Sequence, residues 1–353
     1  LMTAARTGDR EAVEVLLRAG ASVGATDASG QNALMWAAAA NNPDAVAALV
    51  TAGADPGTRT EAGLDALMFA VRRGHVDAAT ALIEAGADVN GTMKSGQSVL
   101  EVAICNNRWD LANMLLDRGA DPNLDKAGYN ALHRLAVLRP IVKGTVYNED
   151  LPIPLGSLDM ILDLARKMID KGIDVNARMP RGDALKEQKF QNNVSVFVHV
   201  GATAFLLAAK DADPEMMELL LEAGADPSIP TAEGITPLMA AAGLYTYQGS
   251  YSRFAERGRA ADILKAVRMC HELGNDINAS DHIGQTALHG AAYRCAPEVA
   301  RYLIDHGAEL DVVDQRGLSP LAVANGIYYI LGLLRSPNTA KVIREAMQER
   351  GIS

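Results

Sequence analysis

Apolar residues in this chain follow helical spacing in short runs, and the runs recur. In GQTALHGAAYRCAPEVARYLIDHGAELDVVDQRG, from Gly284 to Gly317, Val299, Tyr302 and Leu303 stand at i, i+3 and i+4, the stripe of an amphipathic helix. The segments that begin at Gly30 and Gly63 have the same skeleton, and Gly30, Gly63 and Gly96 set a period of roughly 33 residues. Each unit predicts the same order of elements. A short turn ending in glycine leads to a residue such as Thr that caps a helix by accepting a backbone N–H. A helix of small residues follows, such as ALMWAAAA, then a turn and a second, amphipathic helix. That helix stops at GAD or GAE, where glycine supplies a left-handed backbone, and DVN or DPN opens the next turn.

ALHGAAYR and LIDHGAELD track the TPLHxAA and LLxxGADVN signatures at the right separation, and on these residues the chain resembles the ankyrin-repeat family. Copies begin near Leu1, Asp27, Thr60, Met93, Asp125, Pro180, Pro230, Asp281 and Asp314. The resemblance implies an all-α fold, an ankyrin-repeat solenoid of about nine helix pairs forming one elongated domain over residues 1–353. It also implies that inner helices and projecting turns line a concave groove. No sheet is expected beyond short turns, except at Phe190 to Val200. The opening LMTAARTGD enters a repeat halfway, so the domain is expected to be incomplete at its N-terminus. The closing TAKVIREAMQERGIS reads as a cap, with Lys341, Arg344, Glu345 and Glu349 outward and Val342, Ile343 and Met347 inward.

Three segments break the period, at about 138–159, 178–201 and 244–260, in three successive repeats. The second carries a strictly alternating run, Val194 to Val200, which is a strand signal. Aromatic residues make up only 5% of the chain, yet Tyr147, Phe190, Phe197, Tyr245, Tyr247, Tyr251 and Phe254 fall in these segments. The apolar content predicts ordered insertions that converge and wall the groove into a pocket, and rapid proteolysis in all three would count against that. The rings serve equally well to pin the insertions to the repeats.

Charge changes the picture of the partner. A net charge of −10 argues against duplex nucleic acid, which wants clustered Lys and Arg. No apolar run approaches the roughly 20 residues of a membrane span. Three cysteines, Cys105, Cys270 and Cys295, are too few and too dispersed for a disulfide framework or a zinc cluster, and read as buried or half-buried thiols. Cys295 departs from the repeat, which usually has Gly or a polar residue there.

Groove positions follow the small residues of each inner helix: Ala39 and Ala40, Arg72 and Arg73, Cys105 and Asn106, Lys210 and Asp211, Tyr293 and Arg294, with Trp36 and Phe69 earlier on the helix. This set is apolar with basic points, so an anionic ligand or acidic peptide would meet Arg72, Arg73, Lys210 and Arg294. Each charge taken singly reads as a solvated face. The resemblance implies that His133 and His289 bond neighbouring turns, and that His75 is a turn residue. His306 should face solvent. His199, His271 and His282 lie outside the template, and His199 shares a strand side with Phe197, near the expected pocket.

No nucleophile elbow, phosphate loop, HExxH or EF-hand pattern occurs, and no cofactor or metal site is expected. The leading reading is a non-enzymatic scaffold binding a protein or peptide through the groove and inserted loops. The second is a small-molecule binder or atypical enzyme whose ligand anchors on Tyr245, Tyr247, Tyr251 and Phe197. The chain is similar to long bacterial ankyrin-repeat proteins, which are often exported, and the resemblance implies a bacterial protein of that kind.

Overall fold

The computed structural model describes residues 1–124, 130–140, 157–179, 200–244, 260–329 and 332–352. Among these residues there are eighteen helices. Inner and outer helices alternate: α1 (Met2–Thr7) and α2 (Arg10–Arg18), α3 (Ala33–Ala39) and α4 (Pro43–Thr51), α5 (Ala66–Arg73) and α6 (Val76–Glu84), α7 (Val99–Cys105) and α8 (Trp109–Asp117), and α9 (Ala131–Pro140) and α10 (Ser157–Asp170). Then come α11 (Ala204–Lys210) and α12 (Pro214–Glu222), α13 (Pro237–Ala242) and α14 (Ala260–Glu272), α15 (Ala287–Arg294) and α16 (Pro297–Asp305), and α17 (Pro320–Asn325) and α18 (Pro337–Glu349). Contacts divide the chain into two units, Leu1–Arg134 with Asp163–Ile173, and Leu135–Leu162 with Asp174–Ser353.

Within the first unit α1, α3, α5 and α7 stack in series, α2, α4 and α6 stack beside them, and each inner helix packs on its own outer helix. The second unit repeats the scheme with α11, α13, α15 and α17 inside and α12, α14, α16 and α18 outside. The core of each stack is the second residue of the inner helix plus its small residues. Leu34, Leu67, Leu100, Phe205, Leu238 and Leu288 are buried, with Ala37, Ala38, Ala70, Ala103, Ala208 and Ala291 between them. Each such leucine contributes about 1.5–3 kcal/mol on burial, and alanine lets the helix axes approach.

The inner helices start where the sequence places a cap. Asn32, Asp65, Thr203, Thr236 and Ser319 accept from the backbone N–H three residues on, and Ser98 and Glu101 form a reciprocal capping box. The outer helices end at Gly53, Gly86, Gly119, Gly172, Gly224, Gly274 and Gly307, all with φ between 80° and 96°.

The projecting turns are built alike. Asp27, Thr60, Met93, Thr231, Asp281 and Asp314 each donate a backbone N–H to the carbonyl four residues on, at 2.8–3.0 Å. Successive turns then bond to each other: Lys94 N to Ala62 O at 3.1 Å, Ala232 N to Val200 O at 2.8 Å, His282 N to Glu233 O and Gln315 N to Ile283 O at 2.9 Å. Gly63 (φ 85°) permits such a contact, since a Cβ there would stand 2.7 Å from Lys94 N. The DVN and DIN asparagines reach further than a local turn. Asn90, Asn176 and Asn278 each donate to the glycine carbonyl that ends the next outer helix and accept from a backbone N–H beyond it.

Two features differ from the sequence expectation. A two-stranded antiparallel pair, β1 (Ile327–Tyr329) and β2 (Gly332–Leu334), interrupts the last helix pair, with Ile327 opposite Leu334. Its residues are rich in Ile, Tyr and Leu, a composition that suits a strand and that the repeat template obscured. The segment from Leu138 also begins later than expected, because α9 continues through Pro140. At the second segment Met179 N donates to Ala202 O at 2.9 Å, so its two ends close on one projecting turn. The strand expected at Phe190 to Val200 lies, but for Val200, outside the described residues, as does the interior of all three segments. At the C-terminus Ile343 is buried and Lys341, Arg344 and Glu349 are exposed, while Val342 and Met347, expected inward, and Glu345, expected outward, are half-buried.

Candidate functional site

In the first unit the inner helices present one face that is both apolar and basic. Trp36 on α3 and Phe69 on α5 occupy equivalent positions and are half-buried. The Trp36 indole N–H donates to Asp27 Oδ2 at 3.1 Å, which fixes the ring, and the Arg6 guanidinium lies 5.5 Å from its centroid. Backbone N–H donation, first from Gln31, holds the Asp27 carboxyl below its ordinary range, so it stays an acceptor. Arg72 and Arg73 follow Phe69 by three and four residues on the same helix, and both are exposed. Neither carries an ion pair among the described residues. Beside Phe69 a shallow depression of about 490 Å³ runs between the turns, lined by Gln31, Thr60, Leu64 and Lys94 among others.

The second unit uses its expected groove residues differently. Lys210 and Asp211 are half-buried and pair with each other at 3.2 Å. Arg294, expected to meet ligand, is 6% exposed. Its guanidinium donates to the carbonyls of Ala241 at 2.7 Å and Lys210 at 3.2 Å, tying together the ends of three inner helices. Tyr293 is half-buried, and its hydroxyl accepts from Arg316 at 2.6 Å and Gln285 at 2.9 Å. Burial pushes the Tyr293 phenol up, so it remains neutral. Phe197, His199, Tyr245, Tyr247 and Tyr251 lie outside the described residues, and so does the pocket they were expected to form.

Asp314 anchors the Tyr293 network. It accepts from Arg316 Nη2 at 2.7 Å, Gln285 Nε2 at 3.0 Å and the backbone N–H of Arg316 and Leu318. Burial alone would raise its pKa, but these donors outweigh it and hold the carboxyl at about 2. A depressed folded-state pKa gives stability that is present above the unfolded value of about 3.9 and lost as pH falls toward 2. The expected contribution is about 2 kcal/mol at most, because Arg316 is half exposed and solvent screens it. Asp314→Asn should therefore lower stability at neutral pH and flatten the acid limb between pH about 4 and about 2. Urea unfolding across that range checks both.

Three of the histidines serve the repeat framework. His289 Nδ1 accepts from Thr286 N, and its Nε2 meets Leu318 O of the next turn at 3.0 Å. His75 reaches back to Ala39 O at 3.1 Å. His133 Nδ1 accepts from Asn130 N at 3.2 Å within its own cap. His306 is exposed, as expected. Cys270 is buried and its thiol is pushed up to about 12 by desolvation, while Cys105 and Cys295 are half-buried.

Sequence reading missed an ion triad in the second unit. Arg139, 2% exposed, pairs with Asp213, which has no exposure, and with Glu215, 56% exposed. Burial lowers the Arg139 pKa, and the two carboxylates more than reverse it. Asp213 also caps α12. Nothing in LAVLRP distinguishes this arginine from an exposed one. Sequence reading also passed over a cavity of about 440 Å³ lined by Cys295, Glu298, Arg335, Ser336 and Asn338 among others. Among the described residues no group of three or more His, Cys, Asp or Glu side chains converges on a metal position. No described helix is long and apolar enough to cross a membrane.

The architecture agrees with comparison to known proteins. The family model for ankyrin repeats (3 copies) matches residues 1–92, 34–126 and 254–345, and the single ankyrin repeat model matches 200–232. The chain is 37% identical over 143 residues to neurogenic locus notch homolog protein 1 of Xenopus tropicalis, covering 35% of this chain and 6% of that one. The human protein of the same name is 31% identical over 173 residues, and the Mus musculus protein 35% over 170, each covering 40% of this chain and 7% of the relative. The matched stretch is thus a small fraction of these relatives. Matched over most of its length by the family models, and built from capped inner and outer helices joined by bonded turns, this chain belongs to the ankyrin-repeat family.

Proposed function

We propose that the protein is a non-enzymatic scaffold that binds a protein or peptide partner, and that the inner-helix face of the first unit is its binding surface. The observation that carries this reading is the set of Arg72 and Arg73, exposed and without ion pairs among the described residues, beside the half-buried rings of Phe69 and Trp36. Rigid aromatic faces supply contact area at low entropic cost, and arginines at their edge select for charge. The partner segment is therefore acidic with apolar residues between its carboxylates. Lys210 and Arg294 contribute less, because their charges are already directed at Asp211 and at backbone carbonyls.

A panel of synthetic peptides alternating Glu with Leu or Phe, and the same panel with Lys for Glu, tests this by fluorescence anisotropy. The acidic panel should bind, and Arg72→Glu with Arg73→Glu should weaken it by about tenfold or more and favour the basic panel. Phe69→Ala should cost about 2 kcal/mol of binding if the ring is an anchor. Equal binding of both panels, or indifference to the double charge reversal, would sink the assignment.

A further inference from the structure

On the outer face of the second unit, α14 and α16 bring two histidines together around one tyrosine. The ring centroids of His271 and His306 are 5.2 Å apart, with planes inclined at 76°. His306 Nδ1 meets the Tyr302 carbonyl at 2.7 Å, and a carbonyl only accepts, so Nδ1 carries the proton and Nε2 keeps its lone pair. His271 Nδ1 meets the Tyr302 hydroxyl at 2.9 Å, which can accept the same kind of bond. With the Tyr302 hydroxyl accepting from His271, both rings have one nitrogen oriented by Tyr302 and an Nε2 whose lone pair can ligate. His271 is half-buried and His306 exposed, so the pair is reached from solvent.

We propose that His271 and His306 form a two-nitrogen site for a divalent transition-metal ion, copper, nickel or zinc, with water completing the coordination. Metal–nitrogen bonds of about 2.0–2.1 Å put each imidazole centroid about 3.2 Å from the ion, so two rings meeting at right or tetrahedral angles stand roughly 4.5–5.2 Å apart. The observed separation falls at the tetrahedral end of that range. An N–H held by a carbonyl or hydroxyl is the usual outer partner of a ligating histidine, since it fixes tautomer and ring orientation. Burial raises the Tyr302 phenol, Glu272 adds to that and Arg268, whose guanidinium lies 5.4 Å from the Tyr302 ring, opposes it. Cys270 on the same helix is buried and takes no part.

Copper(II) is the probe of choice, because nitrogen sites bind it most tightly among the first-row divalent ions. Titrating the full chain at pH about 7.5, above the ordinary imidazole range, should show one equivalent bound, with electron paramagnetic resonance reporting two nitrogens. His271→Gln and His306→Gln should each lose one nitrogen and at least about tenfold in affinity, and Tyr302→Phe should weaken binding by about tenfold. Circular dichroism melts check that each variant is folded. Binding that survives both histidine substitutions, binding abolished by Cys295→Ser instead, or no binding by the parent chain would each overturn the site.

Discussion

Arg139→Ala is expected to cost about 3–5 kcal/mol, a large loss for one exchange in this chain. The substitution removes the guanidinium from Asp213 and leaves a carboxylate with no exposure beside an empty volume. Attraction within a buried pair roughly offsets the desolvation of both partners, so the loss measures the buried carboxylate deprived of its guanidinium more than the pair. That argument has a check built from the same residues. Arg139→Met combined with Asp213→Ser removes both charges, fills the arginine volume and keeps a side-chain oxygen to cap α12. The double variant should regain most of the lost stability, with a coupling energy of up to about 3 kcal/mol. Glu215→Gln should cost less than about 1 kcal/mol, because Glu215 is more than half exposed. Denaturant unfolding of the parent, Arg139→Met, Asp213→Ser and the double variant gives the cycle, with Arg139→Ala and Glu215→Gln measured beside it. A double variant no better than Arg139→Ala would show that the triad contributes through packing instead.

Phe205→Ala is expected to cost a similar amount, about 3–5 kcal/mol. Phe205 has no exposure and stands at the inner-helix position that holds Leu34, Leu67, Leu100, Leu238 and Leu288 elsewhere. Helix α11 packs on α12 and α13, so the cavity opens where one repeat meets the next. Stability in a repeat array is a sum of repeat and nearest-neighbour terms, and the damage should be local. Hydrogen exchange should quicken first in α11, α12 and α13, with the first unit following later. Phe205→Leu should cost under about 1.5 kcal/mol, since leucine fills the same position in the other repeats. Uniform loss of protection along the chain would contradict nearest-neighbour stabilisation.

The repeats were legible in the sequence because the interactions that define them are short in range. A cap joins residues three apart, as at Asp65 and Met68, and a left-handed stop needs only glycine, as at Gly86. The alternation of inner and outer helices follows from these signals and from apolar spacing. In sequence the asparagine of DVN looks like a local turn former, and the structure shows it bridging to the next repeat, a partner 29 residues away for Asn90 and Gly119. The β pair near Ile327 was hidden because a template of helices explained the residues on either side.

The candidate site divides at the same line. Local pattern is enough to say which residues stand at the ends of the inner helices, because ALMFAVRR and ALHGAAYR place Arg73 and Arg294 at one position of one motif. What each arginine does depends on the packing around it. Gly243 and Gly290 let two inner helices approach until a Cβ on Gly243 would stand 2.5 Å from the Arg294 Cβ, and one on Gly290 would stand 2.7 Å from Leu244 N. Arg294 is thereby covered and bonds carbonyls from two other inner helices, whereas Arg73 stays in solvent. The difference lies in residues some fifty positions away in sequence, and burial of a charge is settled by what packs against it, which no local pattern encodes.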